Sequence, residues 1–206
     1  MEDYLSTMES NFACTKLEDC EKGLYHFFCD FCTLKIWREE LSIIFENVLK
    51  SSPEFGRLSA NSHLYFGGHF IQLIYLAEYL SKNLNEPSIT SSDWRNFILK
   101  KDLSSGSGLK DWVMLLPKNL DEADIENPFR YLKGFFDQDS CIGWVKRWNR
   151  IVYESISSDT LLDDSQGAYF FQEYRNFLGL LEASYLIYVR GFSQNRPTDY
   201  CVNSYY

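Results

Sequence analysis

Long apolar runs are missing from this sequence. None reaches the roughly 18–20 residues that spanning a bilayer requires, and the opening "MEDYLSTMES" lacks the basic-then-apolar pattern of a secretory leader. A cytoplasmic location is expected. Strand signals are equally scarce, with no sustained period-two alternation and no Asn-Gly or Asp-Gly hairpin turn. Histidine is rare: His26, His63 and His69 are the only three, which leaves little for acid–base work near neutral pH. Cations are in the minority, with 20 Lys and Arg against 29 Asp and Glu and a net charge of −9. That field repels phosphate backbones over most of the surface and favours a partner protein with a basic surface. No P-loop, nucleophile elbow, Ser-His-Asp order or dinucleotide fingerprint occurs.

What the chain does have is core material. Hydrophobic residues make up 45% and aromatics 17% of its 206 residues, enough for one sizeable domain. The apolar residues recur with the 3.6-residue period of amphipathic helices. In "TLKIWREELSIIFENVL" they fall at Leu34, Trp37, Leu41, Ile44, Phe45, Val48 and Leu49, behind Thr33 as the helix cap. In "SCIGWVKRWNRIVYESI" the pattern returns at Cys141, Trp144, Trp148, Ile151, Val152, Ser155 and Ile156, behind Ser140, and each pair is 107 positions apart. The same offset matches Phe70, Ile71, Leu73 and Ile74 with Phe177, Leu178, Leu180 and Leu181, and an offset of 108 matches "LYHFF" with "LKGFF".

These correspondences predict an all-α helical bundle built from two similar three-helix units. The first unit covers about 15–82, with helices at about 15–31, 33–51 and 60–82. The first of these opens on a Thr15/Glu18 capping box and the second stops before Pro53. The second unit covers about 127–190, with helices at about 128–137, 140–157 and 167–190, the first capped by Asn127 before Pro128. An insertion at 83–126, with a helix expected at about 92–101 and a flexible "SSGSG", separates the units, and a tail follows at 191–206. The whole, 1–206, is read as one domain.

The densest chemical cluster is "CEKGLYHFFCDFC", where Cys20, His26, Cys29 and Cys32 make a nominal four-ligand zinc set. On one helix these side chains string along a rod and do not surround a point, so buried thiols are expected and no metal or cofactor. "RLSANSH" sets Arg57 six positions before His63. This resembles the arginine-x4–6-histidine motif of the HEPN ribonuclease superfamily, small all-α proteins whose arginine and histidine cleave phosphodiesters, usually across a dimer. The resemblance implies, as an alternative function, a metal-independent endoribonuclease using Arg57 and His63. It departs from the pattern at Leu58, where a polar residue is favoured. The second unit has Asp164 and Phe170 at the corresponding places.

Gly67 and Gly68 mark a close helix crossing or a kink. "WVKRWNR" reads as a helix whose tryptophans face the core while Lys146, Arg147 and Arg150 face water. The expected function is non-enzymatic: an acidic helical protein that binds another protein, as an inhibitor, immunity protein or accessory subunit, bacterial defence or conflict being one setting. The unmatched 83–126 segment is the expected contact surface, with Trp94 and Trp112 as aromatic anchors and Asp159, Asp163 and Asp164 as an acidic loop beside it.

Overall fold

In the computed structural model, residues 16–50, 52–55, 59–83, 117–157 and 167–190 are described. They are helical throughout their regular structure, and no strand occurs among them. Helix α1 (Leu17–Tyr25) passes into a π-helical stretch, His26–Phe31; α2 covers Leu34–Val48 and α3 Ala60–Asn83. A short α4 (Glu122–Glu126) precedes α5 (Pro128–Gln138), α6 (Cys141–Ile156) and α7 (Gly167–Arg190). Among the described residues no helix is long and apolar enough to cross a membrane.

Local sequence explains the starts. Thr33 and Ser140 stand in extended backbone, and each hydroxyl accepts the amide hydrogen three residues on, from Ile36 at 3.4 Å and Gly143 at 3.0 Å. Asn127 caps α5 through the Phe129 amide, with Pro128 in the first turn, where no donor is lost. In α1, Lys16 stands at the cap position without a side-chain bond, and Glu18 and Asp19 lie in the first turn, at the positive end of the helix dipole. The expected capping box turns on Thr15. Thr15 itself lies outside the described residues, as does the helix expected at 92–101.

The apolar stripes meet in one continuous cluster. Trp37, Trp144, Leu41, Trp148, Ile44 and Ile151 are all buried. Two tryptophans have matching surroundings. Trp37 stacks on Phe27 at 4.1 Å and donates its indole N–H to the Phe27 carbonyl at 3.1 Å; Trp144 stacks on Phe135 at 4.1 Å and donates to the Phe135 carbonyl at 2.9 Å. Phe70 lies 5.8 Å from Trp37 and Phe177 lies 5.5 Å from Trp144. Phe70 and Phe177 then meet each other edge to face at 5.9 Å. Helices α3 and α7 are each 24 residues long.

The packing interleaves early and late helices: α3 lies against α5 and α6, and α7 against α1 and α2. Gly67 allows α3 and α6 to approach closely. A Cβ there would lie 3.0 Å from both methyls of Val152, and the Gly67 carbonyl accepts the Trp148 indole N–H at 2.8 Å. Helix α3 runs unbroken through Gly67 and Gly68, and Gly67 sits at the crossing with α6.

Candidate functional site

The first turns of α7 carry polar chemistry on one flank and an aromatic wall on the other. On the polar flank, Glu173 is buried against α6 and lies 3.3 Å from the Arg150 guanidinium and 3.7 Å from that of Arg147. Burial pushes the Glu173 carboxyl above the usual range, against the pull of the Tyr169 hydroxyl and the two arginines. Arg147 also donates to Asp139 at 2.9 Å and to the Tyr169 hydroxyl at 2.8 Å, and its guanidinium lies 5.0 Å from the centre of the Trp144 ring. Arg150 lies 3.8 Å from Glu154. Arg147 and Arg150 of the basic face read from "WVKRWNR" thus belong to a network of matched charges joining α5, α6 and α7. Its guanidinium groups already have carboxylate partners, a poor starting point for a phosphate cradle.

On the other flank, Phe170, Phe171 and Tyr174 face Ser42, Phe45, Glu46 and Leu49 of α2 across an open cleft of about 250 Å³. Helix α7 begins three residues after Asp164.

Farther along α7, Glu182 is fully buried and accepts four donors. Arg38 reaches it at 2.6 Å, the backbone amides of Lys118 and Asn119 at 3.0 and 2.8 Å, and the Asn119 side chain at 3.5 Å. This carboxylate ties the chain just before α4 to both α2 and α7. The signal for Glu173 and Glu182 in the sequence is a carboxylate set on the apolar side of a helix rich in Phe, Leu and Tyr.

The cysteines and histidine of α1 and the π-helical stretch after it disperse. Cys20 and Cys29 are buried, and Cys29 Sγ lies 3.0 Å from the Tyr188 hydroxyl. Cys32 is half-buried, and burial together with the Glu40 carboxylate pushes its thiol up to about 11, so it is poorly disposed to act as a thiolate. His26 turns outward to Asp30 at 3.3 Å, and its ring lies 6.2 Å from His69, which stacks on Phe31 at 3.9 Å. Among the described residues no group of three or more His, Cys, Asp and Glu side chains is placed to hold a metal ion.

His63 is 0% exposed, neither ring nitrogen has a hydrogen-bond partner, and Phe55 meets the ring edge-on at 5.0 Å. Burial lowers its pKa. Arg57, Trp94, Trp112, Asp159, Asp163 and Asp164 lie outside the described residues.

The buried imidazole has a consequence for stability. The unfolded chain takes up a proton at this residue below about pH 6.5, where the native state does not. Stability contributed by neutral His63 is therefore present above that pH and is lost as pH falls toward the lowered native value. His63→Phe, which places here the residue found at position 170, should flatten the acid side of the stability profile and stabilise by about 1–3 kcal/mol through removal of unpartnered polar atoms. Urea unfolding at pH 7.5 and 5.0 checks this: a variant that loses as much stability on acidification as the parent would contradict it.

No family model, curated protein or solved structure matches the chain, so its function is read from the residues themselves.

Proposed function

We propose that this protein acts by binding another protein with a basic surface, as an inhibitor, immunity protein or accessory subunit. The observation that carries the reading is the company its exposed apolar side chains keep. Tyr153, Phe171 and Leu49 are 65%, 61% and 59% exposed on a chain of net charge −9. Large apolar groups in water on a chain of strong net charge are the ingredients of an interface, the apolar groups supplying affinity and the charge speeding encounter.

We place the main contact surface in the 83–126 segment, with Trp94 and Trp112 as anchors and the acidic run containing Asp159, Asp163 and Asp164 as an electrostatic flank. The grip of Glu182 on Lys118 and Asn119 supports this reading, because it gives the segment a fixed base on the helical body.

We also infer that the body is one three-helix unit used twice, with 83–126 inserted between the copies. In favour are the Phe27–Trp37 and Phe135–Trp144 stacks, 108 and 107 positions apart, and the bounds of α3 and α7, which differ by 107 at both ends. An element lying between two such units is not needed to complete the core of either.

The test is to replace 84–116 by a short flexible linker, keeping the residues that Glu182 holds, and to measure folding and capture of partners from native lysate separately. A folded deletion that no longer captures a basic protein taken up by the full chain, with capture weakened by added salt, is the expected result. A folded deletion that captures every partner would move the contact surface elsewhere. An unfolded one would make Trp94 and Trp112 core-sealing residues.

A further inference from the structure

We propose that the cleft between the C-terminal half of α2 and the first turns of α7 is a binding site for a quaternary or multiply methylated ammonium group. Its volume of about 250 Å³ equals the share of roughly eight waters in the liquid, at about 30 Å³ each. That is room for a tetrahedral head group and part of its stem.

The walls are aromatic and inclined. Phe45 forms the corner, its centroid 5.2 Å from that of Phe170 and 5.0 Å from that of Tyr174, with the ring planes at 55° and 57°. The rings are inclined and do not stack into one flat wall; Phe45 and Phe170 are nearly buried at the floor of the cleft, while Tyr174 and Phe171 are the accessible rings. Phe171, largely in water, flanks the mouth. Aromatic faces carry negative partial charge and attract a cation lying within about 6 Å of the ring centre.

A carboxylate completes the set. Glu46 lines the cleft, and its Oε1 accepts the Ser42 hydroxyl at 2.8 Å. Among the described residues no lysine or arginine lines it. A neutral apolar occupant would gain from the rings but would strip water from Glu46 and offer it nothing in return. An alkylated ammonium satisfies rings and carboxylate together, and the net charge of −9 draws it in. The site is single. At the positions 107 away, Val152, Tyr153, His63, Leu64 and Gly67 stand in place of Phe45, Glu46, Phe170, Phe171 and Tyr174, so neither the carboxylate nor the ring set recurs. The inference does not depend on what the 83–126 segment contacts.

The experiment titrates the full chain with choline, with a short peptide carrying trimethyllysine, and with neohexyl alcohol, the uncharged carbon isostere of choline. Aromatic carbon–proton NMR of Phe45, Phe170, Phe171 and Tyr174 follows binding. The expected result is one site per chain at which a cationic probe binds about ten-fold or more tightly than the isostere. Whether choline or the peptide binds more tightly tells a free head group from a protein side chain as the source; either order supports the proposal. Phe171→Ala and Glu46→Gln, both at exposed positions, should weaken cation binding several-fold with the far-ultraviolet circular dichroism unchanged. Isostere binding as tight as choline, no response to either cation, or folded variants that bind as well as the parent would overturn the proposal and leave a plain apolar cleft.

Discussion

Replacing Trp144 by alanine is expected to lower the free energy of unfolding by about 3–5 kcal/mol, against a usual total of about 5–15 kcal/mol for a domain. The indole is 1% exposed, stacked on Phe135 and met edge-on by Phe177. Truncation would open a cavity between three helices that cannot close it without moving. A second loss adds to the first. The indole N–H donates to the carbonyl of Phe135, which lies in the last turn of α5, where carbonyls have no partner within the helix. Alanine would leave that acceptor without its bond. Trp144→Phe, which keeps a ring for Phe135 to stack on, should cost less, and Trp37→Ala should cost about as much as Trp144→Ala because Phe27 and Phe70 surround it in the same way. Urea unfolding measures all three: the midpoint should fall with little change in slope. A loss below about 1 kcal/mol for Trp144→Ala would mean that the site collapses freely, contrary to the close packing described.

Much of the helical framework is legible in the residues. The bounds of α7 coincide with the expected 167–190, and those of α3, α5 and α6 fall within about one residue of expectation. Caps explain this accuracy: Ser140 and the Asn127–Pro128 pair fix where helices begin, and the apolar period fixes which face is buried. The π-helical stretch His26–Phe31 escaped notice because consecutive aromatic residues, "HFFCDF", blur the period, and a wider hydrogen-bonded turn leaves no mark of its own in composition. Helix α4 was hidden by its length of five residues.

The site is less legible, for reasons of distance and angle. Arg147 and Arg150 are plain in the sequence, but Glu173, which faces both, belongs to the next long helix. Nothing local announces the pairing. Neighbouring residues on a helix point about 100° apart, so Phe170 is buried while Phe171 is largely exposed. Whether two aromatics enclose a cleft or only fill a core depends on where α2 crosses α7, which is a property of the whole fold. His63 illustrates the same limit. Its spacing from Arg57 is read at once, whereas its complete burial without a partner follows from how α3 packs.

Glu182→Ala should be as damaging as the tryptophan change, at about 3–5 kcal/mol, the range for breaking a buried charge pair from one side. Four donors converge on this carboxylate from two separate stretches of chain. Its removal takes from the Arg38 guanidinium its 2.6 Å partner and from the Lys118 and Asn119 amides their acceptor. Glu182→Gln should recover only part of the loss, because one of its two terminal atoms becomes a donor facing donors. The comparison that isolates the pair is Arg38→Met with Glu182→Met. Together they remove both charges and keep much of the volume, so the double variant should be more stable than the sum of the single losses predicts, by at least about 1 kcal/mol. Strict additivity would mean that Arg38 and Glu182 act independently and that the carboxylate is held by the backbone amides alone. A hydrogen-exchange readout locates the effect: without Glu182, the amides of Lys118 and Asn119 should lose protection before those of α6 and α7, since the carboxylate is their acceptor, whereas Leu120 and Ile125 still pack the following residues against the core.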